Sequence, residues 1–345
     1  MRSVWSIDVK TVDDSASAFG TRGSIVSHPS SATPGIATAR SRENWIAGST
    51  GSPADMDSSP EWASHGWSVG ILKRILIILS EFGYWGEELV GPLETFDEAG
   101  YQVDFATPKG KRPTPLPPSM DPQYIDPPLG KSVTSQEVAD KVKALDASNR
   151  YDKPIDISTW IPERPYWSSP TLLRDMEAYY SRLDEVEKEI GEKYDAILLV
   201  GGSGPIVDIA NNDRIHALIL LFQKLNKPIG AECYGVAALA FARDLDNRES
   251  IISGKRVTGH CKEYDYKDGT GFIGVMFNMG PPPYPLEYIL RDATAPEGEY
   301  IGNVGHATSV IVDYPFITGR STPDSYLTGE KMVEVLEEGL TRYGW

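Results

Sequence analysis

Apolar positions along the chain follow two regimes. Through the first 70 residues no apolar period is sustained, and 15 serines stand among many Gly, Ala, Thr and Pro. Such a segment buries too little surface to offset its ordering entropy. It reads as a disordered extension, or alternatively as an arm docking through Trp45, Trp62 and Trp67. From residue 73 the pattern changes. KRILIILS (73–80) is a β-branched-rich apolar run that predicts a strand buried on both faces. EELVGPLETFDEAGY has apolar residues at helical spacing with Gly100 as a stop, and YQVDFAT (101–107) reads as a second strand. A polar, proline-rich stretch over 108–170 leads into an amphipathic helix at about 171–190.

YDAILLVGG (194–202) and KPIGAEC (227–233) predict further buried strands, separated by a helix at 207–225. YGVAALAFA reads as a helix of small residues. Strands are expected near 255–258, 299–302 and 308–313, with helices at 285–293 and 323–341. Strands alternating with helices indicate an α/β fold whose parallel sheet is covered on both faces. The expected organisation is an extension over 1–70 and one elaborated domain over 71–345, with insertions at about 108–170 and 259–284. Ligands of such sheets bind beyond the C-terminal strand ends, so chemistry is sought there.

Composition narrows the function classes. Acidic residues exceed basic ones to give a net charge of −16, which repels phosphate backbones and anionic lipid. Neither a nucleic-acid nor a membrane partner is expected. The longest apolar run, Ile75 to Leu79, is far short of the roughly 20 residues that span a bilayer. The N-terminus lacks a charged-then-apolar signal pattern, and Asp8, Asp13 and Asp14 argue against a transit peptide, so a cytoplasmic location is expected. Cys233 and Cys261 are too few for a disulfide framework and lack the paired spacing of a zinc site. No metal is expected.

The strongest motif is KPIGAECYGVAALA, in which an apolar strand runs into Cys233, then Gly235, then a small-residue helix. That is the form of a nucleophile elbow, which lifts the side chain clear of the sheet. The helix start beneath the sulfur favours thiolate and offers backbone N–H groups to an oxyanion.

Three segments in order carry a family resemblance: GAECYG at the elbow, LLVGGSGPIVDIANN at 198–212, and EELVGPLETFDEAGYQVDFATP, where Glu88 stands four residues before Pro92. With the tail VIVDYPFITGRSTPDS (310–325), they resemble the ThiJ/PfpI group of the class I glutamine-amidotransferase-like superfamily, nearest its heat-inducible chaperone and glyoxalase III-like branch. The resemblance covers roughly residues 73–341. It implies a flavodoxin-like three-layer sandwich with a mainly parallel sheet. It also implies a protonated Glu88 that donates to the Cys233 sulfur and lowers the thiol pKa, and an oxyanion hole from the N–H groups of Gly202 and Tyr234. Glu87 reads as a surface acid.

The family pattern breaks at three places. Tyr234 stands where many members have histidine, Ser203 follows the paired glycines where that branch tends to carry histidine, and Glu232 occupies a usually apolar position. The Cys-His diad is therefore absent in sequence, which counts against peptidase activity because an amine leaving group needs a proton. Glu232 reads as a salt-bridged structural acid or an extra acid–base group. His260, in the loop GHCKEYDYKDGTGF, and His306, in GNVGHATS, are the candidates to replace the missing histidine. His216 reads as packing, His28 and His65 fall in the extension, and Cys261 reads as structural or as a second reactive thiol. The aromatic, proline-rich segments at 158–170 and 278–288 read either as walls of an enlarged apolar pocket or as surface and dimer contacts.

Two function classes follow. The first is a cofactor-free cysteine enzyme acting on a small carbonyl or related electrophile by glyoxalase III-like, hydratase or lyase chemistry, in which secondary metabolism supplies a bulkier substrate. The second is a redox-sensing or holdase stress protein without turnover. A homodimer fits either. A glutamine amidotransferase is disfavoured, because no histidine and glutamate pair follows the last strand.

Overall fold

The apolar run at 73–80 forms β1 (Arg74–Ile78) in the computed structural model, which describes residues 72–265 and 285–345. The expected extension over 1–70 and most of the insertion at 259–284 lie outside the described residues. After β1 the chain forms α1 (Gly86–Glu98), β2 (Gln102–Thr107), β3 (Ile125–Asp126), β4 (Lys131–Ser132), α2 (Gln136–Asp146), β5 (Ile155–Asp156), α3 (Ile157–Trp160) and α4 (Leu172–Lys193). The central stretch is β6 (Ala196–Leu199), α5 (Pro205–Asp208), α6 (Asp213–Lys224), β7 (Ile229–Glu232) and α7 (Ala237–Phe241). The last part holds β8 (Arg256–Val257), α8 (Leu286–Thr294), β9 (Glu299–Tyr300), β10 (Val310–Asp313), β11 (Phe316–Gly319), α9 (Ser325–Glu338) and β12 (Arg342–Tyr343).

The main sheet runs in the order β12-β10-β11-β7-β6-β1-β2-β5. Its pairs are parallel except where β10 meets β11 and β12. Chain order reverses at β1, which has β2 on one side and β6 on the other. That reversal is the switch point where such sheets open a crevice.

Side-chain alternation along β1 divides the core. Leu76 and Ile78 pack with Val186 and Ile190 of α4, Phe222 of α6 and Leu290 of α8, whereas Ile75 and Ile77 pack with Leu93 and Phe96 of α1 and Met332 of α9. The result is a three-layer sandwich. Helices α1 and α9 approach through glycines: a Cβ at Gly91 would lie 2.8 Å from the Ser325 Cβ, and one at Gly329 2.8 Å from the Pro92 Cα.

Three details differ from the sequence reading. The helix expected over 207–225 is two, because Asn212 accepts from the Arg214 and Ile215 N–H groups and restarts the chain as α6. The polar stretch at 108–170 contains α2, capped by Ser135 accepting from the Val138 N–H at 3.1 Å. The strand expected at 299–302 is the two-residue β9, which pairs with β8 outside the main sheet.

Two glycines in helices give opposite expectations. Gly329→Ala must displace backbone and is expected to cost about 1–3 kcal/mol. Gly191→Ala, whose new methyl would meet only Leu225 Cδ2 at 3.9 Å, is expected to stabilise by about 0.5–1 kcal/mol. Thermal unfolding of both variants checks the signs, and equal shifts would contradict the packing described.

Candidate active site

β7 ends at Glu232, and the chain turns sharply at Cys233, whose φ is 53°. That left-handed conformation costs a non-glycine residue on the order of 1–3 kcal/mol. The turn is tight because its neighbours lack side chains. A Cβ at Gly235 would lie 2.6 Å from the Leu199 carbonyl oxygen, and one at Gly201 2.6 Å from the Cys233 Cβ. Gly202, at φ 91°, lies where a Cβ would press on the Trp85 backbone nitrogen. The paired glycines after β6 therefore let the start of α1 close on the elbow. The first turn after the cysteine is a 3-10 turn, Cys233–Val236, that leads into α7.

Cys233 is 5% exposed. Its Sγ lies 3.6 Å from His260 Nδ1, and His260 Nε2 lies 3.2 Å from Asp265 Oδ1. A carboxylate only accepts, so Nε2 carries the hydrogen and Nδ1 turns its lone pair to the thiol. The Tyr234 hydroxyl donates to the same Asp265 oxygen. Its ring stacks on the His260 imidazole, with centroids 4.2 Å apart and planes at 25°. The diad absent from the local sequence is thus assembled in space: His260 arrives from the loop after β8, and Tyr234, in the expected histidine's position, holds it there. Sequence reasoning did not single out Asp265. Nothing distinguishes it in sequence from Glu263 and Asp268 of the same loop.

Glu88 lies in the first turn of α1, 2% exposed, and shares a hydrogen bond with the Cys233 thiol. Burial pushes its carboxyl above the usual carboxylate range. Burial also pushes the Cys233 thiol up, and a charge on Glu88 pushes it further, while N–H donation from Gly202 and Tyr234 opposes the rise. The resemblance implies a thiol lowered by Glu88. Burial works against that, and His260 Nδ1 lies within reach of the thiol proton. The two N–H groups expected to form an oxyanion hole converge on the sulfur.

These groups open onto a cavity of about 640 Å³ whose wall includes Glu88, Cys233, His260, Ser203 and His306. His306 is held on the rim by Arg320, 1% exposed, whose guanidinium donates to the His306 and Ala307 carbonyls and pairs with Asp324 at 3.6 Å. Glu87 is no surface acid. It is partly buried on the cavity wall, where the Thr322 hydroxyl donates to it at 2.7 Å. Glu232 is off that wall and fully buried, with the Ser325 hydroxyl donating to it at 2.8 Å, and it makes no ion pair among the described residues. His216 shares a hydrogen bond with the Ala210 carbonyl, outside the site. Cys261 is fully buried off the wall, and burial pushes its thiol up to about 12.

An earlier part of the insertion walls the cavity, through Leu116, Pro118, Leu129 and Val133. Its aromatic end does not: Tyr166 and Trp167 are 71% and 93% exposed. Most of 278–288 lies outside the described residues. No metal-binding cluster of His, Cys, Asp and Glu occurs among the described residues, and no helix there is long and apolar enough to cross a membrane.

A family model described as ThiJ/PfpI family-like matches residues 79–254. The chain belongs to this ThiJ/PfpI family. The matched span holds Glu88, Gly202 and Cys233 but ends before His260 and Asp265, so the two residues completing the site come from outside it. A bovine (Bos taurus) glutamine amidotransferase-like class 1 domain-containing protein 1 is 28% identical over 142 residues, which is 41% of this chain and only 59% of the relative. Two solved structures share the ThiJ/PfpI fold. The 24 kDa rapid encystment protein of Francisella tularensis is 20% identical, with a TM-score of 0.51 over 77% of this chain and 99% of its own. Glyoxalase III of Candida albicans is 17% identical, with a TM-score of 0.50 over 77% and 98%.

The geometry places His260 Nδ1 within reach of the Cys233 thiol proton. Alkylation of Cys233 by iodoacetamide at neutral pH is expected to slow at least about ten-fold in His260→Ala, followed by peptide mass spectrometry, while Cys261 stays unmodified. An unchanged Cys233 rate would contradict the assignment.

Proposed function

We propose that this ThiJ/PfpI protein is a cysteine-dependent enzyme acting on a carbonyl compound or a related electrophile, needing no cofactor. The observation that carries the reading is the line Cys233 Sγ, His260 Nδ1, His260 Nε2, Asp265 Oδ1, with successive contacts of 3.6 and 3.2 Å, opening onto a cavity. His260 takes the thiol proton, and the thiolate adds to the carbonyl carbon. A C–S bond forms while the C=O π pair moves to oxygen, where the Gly202 and Tyr234 N–H groups meet the charge.

With a 2-oxoaldehyde, the adduct loses the proton on its former aldehyde carbon to a base of the site and regains one on the neighbouring carbon. This moves two electrons from the first carbon to the second and leaves a thioester. Water cleaves the C–S bond, releasing a 2-hydroxy acid and the thiol. Glu88, kept protonated by burial, and His260 are the proton carriers. The redox-sensor reading fits less well, because a sensor thiol is low in pKa and accessible, whereas Cys233 is buried and its thiol is pushed up.

The test is a turnover screen of dicarbonyls, isonitriles and aromatic aldehydes. Cys233→Ala is expected to abolish turnover, and His260→Ala to lower kcat/KM by about 10²- to 10⁴-fold. Full activity in Cys233→Ala would overturn the mechanism. Oxidation of Cys233 to a sulfinate with no turnover of any substrate would support the sensor class instead.

A further inference from the structure

The aromatic end of the 108–170 insertion leads into α4, and the two share an apolar surface that the site does not use. Trp167 is 93% exposed, Leu173 86%, Tyr166 71% and Tyr180 43%. Tyr166 and Tyr179 line one groove, and the Tyr179 and Tyr180 rings meet edge to face with centroids 5.3 Å apart. None of these side chains lines the cavity at Cys233. Apolar side chains exposed singly are ordinary, whereas a group of them gathered on one surface marks a place of contact.

Helix α4 explains where that surface ends. Of its 22 residues only Val186 and Ile190 are buried, both in the second half. The exposed stripe changes character along the helix. In the first half it holds Leu173, Ala178 and Tyr180 together with Arg174 and Glu177, and in the second half Asp184, Glu185 and Lys188. The second half is an ordinary solvated face, while the first turns apolar residues outward.

Charge narrows what could cover it. Residues 162–183 carry three acids (Glu163, Asp175, Glu177) and three bases (Arg164, Arg174, Arg182), a net of zero in a chain of net charge −16. A strongly charged partner has nothing to select there, and two copies of so acidic a chain repel least where they meet on a neutral face. Arg182 pairs with Glu185 and Glu189, and Glu163 with Arg214. Arg174 and Glu177 are exposed and hold no ion pair among the described residues.

We infer that this face is the contact between two copies of the chain, with the first halves of their α4 helices packed antiparallel about a two-fold axis near Met176. That symmetry sets Leu173 against Tyr180 of the second copy and brings Arg174 beside its Glu177, each contact being made twice. Trp167 and Tyr166, just before α4, extend the apolar contact beyond the helix start. The inference is independent of the chemistry at Cys233.

The test is sedimentation velocity on the full chain at about 1–100 μM, which reads a Kd of that order. A reversible monomer–dimer equilibrium is expected. Leu173→Asp is expected to raise the dimer Kd at least about thirty-fold, the size of a hot-spot loss, and to leave the far-UV circular dichroism spectrum unchanged because the side chain is exposed. Arg174→Glu and Glu177→Arg each oppose like charges twice and are each expected to raise Kd at least about ten-fold. Combined in one chain, the two reversals are expected to restore association, which only pairing with a second copy in this register can do. A wild type that stays monomeric throughout overturns the inference and leaves the face to a different partner. A dimer that Leu173→Asp and both single reversals leave intact also overturns it, as does a double reversal no tighter than the singles.

Discussion

A cysteine held at φ 53° between β7 and a 3-10 turn is the constraint on which the site depends. The conformation is unfavourable alone and persists because its surroundings determine it on several sides. The flanking strand is fully buried, and the glycines at 201, 202 and 235 leave no room for the turn to relax by moving outward. The same closeness puts Glu88 against the sulfur and two backbone N–H groups on it. Removing water from these groups raises both acid and thiol.

His260 reaches the sulfur by a longer route than the elbow motif implies. The tyrosine after Cys233 stands in the expected histidine's position but fixes a histidine from elsewhere by stacking and by a hydrogen bond to its carboxylate partner. Arg320 does similar work across the cavity, tying the His306 loop to the N-cap of α9, Asp324. Buried acids at 88, 232 and 324 thus divide into two kinds. Asp324 has a guanidinium partner, while Glu88 and Glu232 have none among the described residues, and burial pushes all three upward, with Arg320 opposing the rise at Asp324.

Legibility in the sequence followed burial. Strands buried on both faces appear as unbroken apolar runs, so β1, β6 and β7 could be read directly, as could the cysteine ending β7. Helix α2 could not, because only Ala139 and Val142 face the interior and the stripe is too thin to give a period. The break at Asn212 depends on one side-chain cap inside a continuous apolar pattern. Asp265 was invisible for a different reason. Its role comes from the meeting of two loops, and the residues around it are all polar or aromatic.

The central claim is that Cys233, His260 and Asp265 act as one unit, and a double-mutant cycle on His260→Ala and Asp265→Asn tests it most directly. The quantity to measure is the rate of Cys233 alkylation at neutral pH, which needs no knowledge of the substrate. If Asp265 acts by orienting His260, its replacement slows the wild type but has little further effect once the histidine is gone. Additive effects in the double variant would contradict the account.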